Sequence, residues 1–321
     1  MLPEQTTQTW NSVLGSDLTG LLSTGLTDWD AARPAIAAGR PEGAPVIRLQ
    51  DVLDVLETAY PPVLAEDWDT GIGLTCGDPS AAVDTVVVAV DADAVTVGEA
   101  ISAGAQLLLT HHPLLFRPVQ SVAAPTAKGT LVHRMILAGV AHYAAHTNAD
   151  AATGGVNDAL AAALGLADLH PLVPRAPGAR TGSGRVGRLP RPLALRGFLD
   201  LVVSAIPATV GGVRAAGDPD RQVSTVAICG GAGDGFLDEA RAAGVDVYLT
   251  SDLRHHVVAE FVASPGSPAV VEVAHWAGEW PWIPAAAELL ESRLPAIRTV
   301  VSHTRTDPWT LHAGSPGPAA G

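Results

Sequence analysis

The chain has 321 residues, of which 47% are hydrophobic, and its mean hydropathy is +0.25. This composition is sufficient for one large packed domain or two ordinary ones and is not that of a disordered polymer. The formal net charge of −14 at pH 7 argues against a broad surface for nucleic-acid phosphates, because such a surface needs clustered lysine and arginine.

Apolar segments and cysteines limit the cellular context. The longest apolar runs, such as TVVVAV, are strand-sized and shorter than the roughly 20 residues that cross a bilayer, so no membrane span is expected. Residues 1–11 are polar and contain no lysine or arginine, so we expect no secretory signal and predict a cytoplasmic location. Cys76 and Cys229 show no CxxC or zinc-knuckle spacing and are predicted to be free thiols.

The amino-terminal part of the chain has weak hydrophobic periodicity. Residues 1–45 are rich in threonine, glycine, serine, alanine and proline, which predicts an N-terminal extension. Trp10 and Trp29 could dock this extension on the body, so both order and disorder remain open. The globular body is predicted to begin at Val46, where leucines and valines form a helix-like apolar face that ends before Pro61.

Alternating apolar strands and amphipathic helices follow. The predicted elements are, in chain order, a strand at 85–90, a helix at 95–103, a strand at 106–110, a helix at 129–138 and a strand at 140–145. Together they predict an α/β lobe of residues 46–170.

A stretch rich in proline, glycine and arginine, residues 171–192, precedes a second alternation. The predicted elements there are a strand at 223–229, a helix that ends by 243, and strands at 245–250 and 269–273. AISAGAQLLLTHH in the first half is echoed by ARAAGVDVYLTSDLRHH in the second, which indicates two related lobes. The second lobe is predicted to cover residues 171–305, with its final segment able to pack back on the first lobe, and residues 306–321 are predicted to be a flexible tail.

Histidines and carboxylates stand at the ends of several predicted strands. His111 and His112 end the strand in LLLTHHPLLF, and Asp150 follows the strand at 140–145. His275 and Glu279 are four residues apart in HWAGE after the last strand, so one helix turn would place both on one face. Because open α/β folds bind ligands at the carboxyl ends of their strands, these side chains are expected to share a site.

This set of side chains is typical of a transition-metal site. Imidazole nitrogens and carboxylate oxygens together suit divalent Zn, Mn, Fe or Co. Five protein ligands exceed what a single open tetrahedral site needs, so we predict two divalent ions bridged by a carboxylate.

Further histidines lie near these predicted ligands. His146 occupies the same loop as Asp150 and is a candidate proton carrier, or a residue that orients that loop. His255 and His256 follow TSDLR and could be ligands, donors that orient a ligand, or surface residues. We take His146 and His256 as the candidate catalytic residues.

Several motifs together carry a resemblance to a known family. WDTGIGLTCGDP, AISAGAQLLLTHHPLLFRPVQS, HTNADAATGGVND, VAICGGAGDGF, VDVYLTSDLRHH and HWAGEWP resemble the motif series of the NIF-three-like, dinuclear-metal-centre family, whose members are often labelled GTP cyclohydrolase I type 2 homologues. The resemblance runs from about Val46 to Ser302. It implies two α/β lobes with the metal pair between them, in a toroidal hexamer built as a trimer of dimers.

The resemblance also implies roles for individual residues. The metal ligands carried over by motif are the five named above, with Glu279 as the bridge. The family's WDNxGL appears here as WDTGIGL, with Thr70 in place of asparagine and one additional residue, which leaves the role of that loop open.

The family label implies an activity on a nucleotide. The expected reaction is metal-dependent opening of the GTP purine ring with release of formate. Arg117 and Arg254, each close in sequence to a histidine pair, are the candidate phosphate contacts. Two alternatives are a non-catalytic metal-binding or regulatory scaffold and a metal-dependent phosphoesterase.

Overall fold

A computed structural model describes residues 46–313 of the chain. The helices are α1 (Leu49–Ala59), α2 (Ala94–Ser102), α3 (Ala127–Ala138), α4 (Thr147–Ala151), α5 (Val156–Ala163), α6 (Leu195–Ala205), α7 (Leu237–Ala242), α8 (His255–Ala263), α9 (His275–Glu279) and α10 (Trp282–Arg293). The strands are β1 (Gly73–Cys76), β2 (Thr85–Ala89), β3 (Leu107–Thr110), β4 (Ala141–Ala144), β5 (Ala167–Pro174), β6 (Gly182–Ala194), β7 (Arg214–Ala216), β8 (Gln222–Ala232), β9 (Val247–Ser251), β10 (Ala269–Glu272) and β11 (Arg298–Val301).

The first sheet has the strand order β1-β4-β3-β2-β11. The strands from β4 to β11 are parallel, and β1 runs antiparallel at the edge. Helices α1 and α10 pack on one face of the sheet and α2 and α3 on the other, so β2, β3 and β4 are buried along their whole length. Burial on both faces explains why these strands read as continuous apolar runs.

Local signals position the strands that lead to the functional site. The carboxylate of Asp93 accepts hydrogen bonds from the backbone N–H groups of Val95 and Thr96 and so begins α2. Gly139 ends α3 with a φ of 68°, a left-handed conformation that glycine adopts without a steric penalty. The chain then turns directly into β4.

The second sheet has the strand order β5-β6-β8-β9-β10-β7. Its strands β8, β9 and β10 are parallel, as in the first sheet, while the flanking strands are antiparallel. Helices α5 and α6 cover one face, and α7 and α8 cover the other. The prediction of two α/β lobes is confirmed.

Residues 171–192 belong to the second sheet, although no helix or strand was predicted there. This stretch holds most of β5 and β6, and β5 crosses the boundary predicted at residue 170. Its prolines are compatible with strands because Pro171 and Pro174 lie on an edge strand, and Pro190 and Pro192 lie where the register of β6 against β8 shifts. Proline therefore obscured the strand pattern without preventing pairing.

The final segment returns to the first sheet. β11 pairs in parallel with β2, and Trp282, Ile283 and Leu290 of α10 are buried in the core beneath that sheet. The first lobe is thus built from two separate parts of the chain. Helix α5 lies between the lobes, because its Val156 packs in the core of the first and its Leu160 in the core of the second.

The predicted N-terminal extension, residues 1–45, and the last part of the predicted tail, residues 314–321, lie outside the described residues. The described part of the tail is in contact with the body, since the Thr306 hydroxyl donates a hydrogen bond to Asp91 and Asp307 is buried. No helix between residues 46 and 313 has the length and apolar character of a membrane span.

Candidate metal centre

The five predicted ligands meet where the carboxyl ends of the two sheets open into one cleft. His111 and His112 follow β3, Asp150 lies on α4 beyond β4, and His275 and Glu279 lie on α9 beyond β10. The cleft has a volume of about 1320 Å³. The expectation that side chains at the carboxyl ends of the strands share a site therefore agrees with the structure, although these side chains come from distant parts of the chain.

The carboxylate of Glu279 lies at the centre of the cluster. Its Oε1 is 2.9 Å from Nε2 of His275 and 3.3 Å from Nε2 of His111, and its Oε2 is 3.0 Å from Nε2 of His112. Oδ1 of Asp150 lies 3.7 Å from Nε2 of His111. Glu279 is buried, so one carboxylate faces three imidazoles with little access to solvent.

The opposite nitrogen of each imidazole is held by an oxygen that can only accept a hydrogen bond. Nδ1 of His111 is 2.8 Å from the carbonyl oxygen of Ala145. Nδ1 of His112 is 2.6 Å from Asp91 Oδ1, and Nδ1 of His275 is 2.6 Å from Asp252 Oδ2. Each Nδ1 therefore carries the hydrogen, and in the neutral ring each Nε2 presents a lone pair to the cluster.

This geometry fits bound cations. In the neutral rings, lone pairs on three nitrogens point at a carboxylate that is itself an acceptor, and Nε2 of His112 is 3.2 Å from Nε2 of His275, an arrangement that repels unless metal ions or protons supply positive charge. Three buried atoms of the cluster make no hydrogen bond, namely His111 Nε2, Asp150 Oδ1 and Glu279 Oε2. Such orphaned atoms are what metal coordination would satisfy.

Two overlapping sets of side chains have spacing suited to a metal ion. One set is His112, His275 and Glu279, and the other is His111, His112 and His146. Within each set, the potential ligand atoms all lie within 4.8 Å of one another. The structure thus places His146, a candidate proton carrier in the sequence analysis, at ligand distance from the predicted histidine pair.

Charge in the cluster without metal is balanced by protons. Burial lowers the pKa of His112 and of His275, but the charge of Glu279 and the hydrogen bonds that the two rings donate to Asp91 and Asp252 outweigh burial, and the pKa values rise to about 10 and about 11. Burial alone would raise the pKa of Glu279, yet the three imidazoles hold it well below the ordinary value. Asp150 differs, because burial raises its pKa despite the nearby His111. The site therefore strongly favours a negative charge on Glu279 together with positive charge around it.

A third carboxylate, that of Asp69, orients His146. Oδ2 of Asp69 lies 2.9 Å from Nδ1 of His146 and accepts hydrogen bonds from both the backbone N–H and the hydroxyl of Thr147. Burial raises the pKa of Asp69, but these hydrogen bonds outweigh it and lower the value to about 2. Asp69 thus stays charged and keeps the hydrogen of His146 on Nδ1.

Gly231 and Asn157 keep the residues of the centre close together. Gly231, at the end of β8, has a φ of 71°, and a Cβ there would overlap Oε1 of Glu279. Asn157 on α5 donates to the carbonyl of Asp150 at 3.0 Å and accepts from the backbone N–H of Gly230 at 2.9 Å. This amide ties α4 of the first lobe, which carries Asp150, to the end of β8 in the second lobe.

The other candidate site residues lie outside the cluster. His256 is exposed on the first turn of α8, where its ring contacts that of His255 at 5.2 Å between centroids. Arg117 is exposed and does not line the cleft. Arg254 is also exposed and pairs with Asp234 at 2.7 Å. The roles assigned to these three residues stay predictions, with positions that give them no contact with the cluster.

The carboxylates that hold the imidazoles were not among the predicted site residues. Asp91 follows β2 and Asp252 follows β9, so both stand at carboxyl ends of parallel strands, the same signal that identified His111. Asp69 belongs to the WDTGIGL motif, whose role the sequence left open, and its carboxylate holds Nδ1 of His146.

Comparison with known proteins identifies relatives of the whole described region. A model of the Duf34/NIF3 (NGG1p interacting factor 3) family matches residues 47–308. A Streptomyces coelicolor protein named GTP cyclohydrolase 1 type 2 homolog is 46% identical over 275 residues, which cover 84% of this chain and 95% of that protein. A Mycobacterium tuberculosis protein of the same name is 39% identical, with 83% of this chain and 97% of that protein covered.

Solved structures share the fold. The crystal structure of a Bacillus cereus protein related to NIF3 is similar with a TM-score of 0.76 at 24% identity, and the match covers 84% of this chain and 100% of that chain. The family model and the 46% identity to the Streptomyces coelicolor protein show that the chain belongs to the Duf34/NIF3 family.

Proposed function

We propose that the chain is a metal-dependent hydrolase whose site holds two divalent transition-metal ions. The observation that carries this proposal is the convergence of three imidazole lone pairs on the buried carboxylate of Glu279, within a cleft open to substrate. His111, His112, Asp150, His275 and Glu279 would hold these ions. Zn, Fe, Mn and Co all suit this set of nitrogen and oxygen ligands.

When bound, such ions would lower the pKa of a water molecule and neutralise negative charge on a substrate. The chain itself would fix the geometry and manage protons. Asp91 and Asp252 lock His112 and His275 in the tautomer that presents Nε2 to the centre. Asp69 does the same for His146, whose Nε2 is then able to act as a further ligand or to accept a proton at the edge of the cleft.

The substrate we propose is a nucleotide, with opening of a purine ring and release of formate as the reaction. The name of the similar Streptomyces coelicolor and Mycobacterium tuberculosis proteins supports GTP as the first substrate to test. The alternatives are phosphoester hydrolysis at the same centre and a scaffold that binds metal without turnover. Assembly as a homohexamer, a trimer of dimers, remains a proposal that rests on the resemblance to the family.

Activity assays with and without metal test the proposal. Protein reconstituted with Zn, Mn, Fe or Co should release formate from GTP, lose this activity with chelator and regain it when metal is restored. Glu279→Gln should remove both bound metal and activity, because the amide cannot bridge two cations, whereas Glu288→Gln on the exposed face of α10 is the matched control. Phosphate release without formate would favour the phosphoesterase. No turnover by the fully loaded protein, or turnover that survives complete metal removal, would contradict the hydrolase mechanism.

A further inference from the structure

Two exposed aromatic side chains line the cleft next to His146. Trp68 is 60% exposed and Phe116 is 49% exposed, and both belong to the cleft wall. The ring centroids of Trp68 and Phe116 are 6.0 Å apart, and each ring also meets the imidazole of His146 edge to face, at 6.1 Å and 5.9 Å. Large aromatic rings left this accessible beside a cluster of metal-binding type offer a surface for a planar ligand.

These rings are close to the candidate metal centre. The centroid of His146 lies 5.1 Å from that of His111 and 5.7 Å from that of His112. A planar ligand stacked on Trp68 would therefore lie next to His146, which in turn adjoins the predicted histidine pair. Stacking would fix the plane of the ligand, and the imidazole of His146 would meet its polar edge.

The charges that line the cleft disfavour a highly anionic ligand. Arg214 is the single lysine or arginine that lines it among residues 46–313, and its guanidinium already pairs with Glu272. Carboxylates line the cleft in addition to the proposed ligands Asp150 and Glu279, namely Glu66, Asp91, Asp252, Glu272 and Asp307. Two bound divalent ions would be largely offset by these groups, so little positive charge would remain for a triphosphate.

We infer that the cleft binds the ring of a heteroaromatic ligand of low charge, stacked on Trp68 beside Phe116, and that a nucleoside binds at least as tightly as its triphosphate. The inference rests on the proposed function, since it concerns the same cleft and names the substrate class. Stacking of the ligand's base on Trp68 supplies the binding free energy, and the ligand's phosphates contribute none of it. Specificity is then for the base and not for the phosphate chain.

Calorimetric binding to the full-length, zinc-loaded protein tests this inference with three probes, guanosine, GTP and ribose 5-phosphate. Guanosine should bind, GTP should bind no more tightly than guanosine, and ribose 5-phosphate, which has no aromatic ring, should not bind. Absence of guanosine binding, or a GTP affinity that exceeds the guanosine affinity by more than the error of the measurement, would overturn the inference.

Variants locate the subsite. Trp68→Ala should weaken guanosine binding by about 10- to 100-fold, the range expected for loss of one base–aromatic stack, while Trp68→Phe should retain most of it. Leu137→Ala, at an exposed position on α3 outside the cleft, is the control and should bind guanosine normally. Melting temperature and zinc content of each variant establish that fold and metal site are intact.

Binding and turnover separate this inference from the proposed function. Normal guanosine binding to Trp68→Ala would place the ring elsewhere and refute the inference, even if GTP is hydrolysed. Tight guanosine binding that depends on Trp68, without turnover of any nucleotide or nucleoside, would uphold the subsite and refute the hydrolase proposal.

Discussion

The two halves of the chain use similar strand endings for different purposes. In the first lobe, β3 ends at Thr110 and the adjacent His111 and His112 enter the cluster directly. In the second, β9 ends at Ser251 and the histidine pair comes only after Asp252, Leu253 and Arg254, on the exposed first turn of α8. The three additional residues carry the second histidine pair out of the cleft. Similar sequences at the ends of β3 and β9 therefore do not place their histidines at equivalent positions.

What the second lobe retains at its strand end is a carboxylate. Asp252, with a left-handed φ of 57°, turns its side chain onto Nδ1 of His275. The first lobe does the same with Asp91, which follows β2 and holds Nδ1 of His112. Each sheet therefore contributes one carboxylate that fixes an imidazole, while the first sheet alone contributes imidazoles directly from a strand end.

The largest expected difference is between the two histidine pairs. His112→Ala removes a nitrogen from both candidate metal-binding sets and should lower bound metal by at least half after dialysis against metal-free buffer. His256→Ala should leave metal content unchanged, because its side chain is exposed and lies outside both sets. Elemental analysis of the dialysed proteins measures this difference.

Equal metal loss in these two variants would mean that the second histidine pair, His255 and His256, also contributes to metal binding. The two lobes would then not differ in the use of their histidine pairs. The melting temperatures of both variants with excess chelator serve as the control for folding.

A smaller effect is expected where the lobes are alike. Asp91→Asn and Asp252→Asn should each weaken metal affinity by about 10- to 100-fold, because an amide can donate to Nδ1 and no longer fixes the tautomer that presents Nε2. Competition with a chromogenic chelator measures the affinities. Asp238→Asn, an exposed position on α7, is the control. A loss in one variant alone would show that the lobes do not contribute equivalent carboxylates.

The smallest effect concerns pH. In the metal-free protein His112 and His275, one from each side of the cleft, have pKa values of about 10 and about 11, above the ordinary value of about 6.5. Protonation of these rings therefore stabilises the fold fully below about pH 6.5, and this contribution is lost as the pH rises toward 10 and 11.

Metal ions replace these protons, so the increase in Tm on metal binding should grow as the pH is raised from about 6 to 9. Thermal unfolding with and without chelator measures it, and metal-induced stabilisation that falls over this range would contradict the assignment. Glu279→Gln should show a much weaker dependence, since it lacks the charge that raises both pKa values.

Periodicity in the sequence predicted much of the fold, because β2, β3, β4, β8 and β9 are buried apolar runs separated by helices. The edges of the sheets were not predictable in this way. β6 is interrupted by proline and arginine, and β11 is a short strand with an exposed arginine at its start. Such strands are defined by their partners, which the local sequence does not encode.

In the candidate site, too, the local sequence predicted individual residues but not the contacts between distant parts of the chain. Positions at the ends of predicted strands identified the candidate ligands, which are His111, His112, Asp150, His275 and Glu279. It did not reveal that Asp69 holds His146, because these residues are 77 positions apart in the chain and meet only when the first lobe is assembled.

The return of the chain to its first sheet sets an order of events during synthesis. His111 and His112 are made early, but Glu279 and the strand that completes the first sheet, β11, come near the end. A nascent chain that has emerged only as far as β9 has its first histidine pair without the carboxylate that faces it. High-affinity binding of the proposed metal ions would therefore have to follow synthesis of α9, and a chain shortened before α9 would lack such a site however well the rest of its first lobe folds.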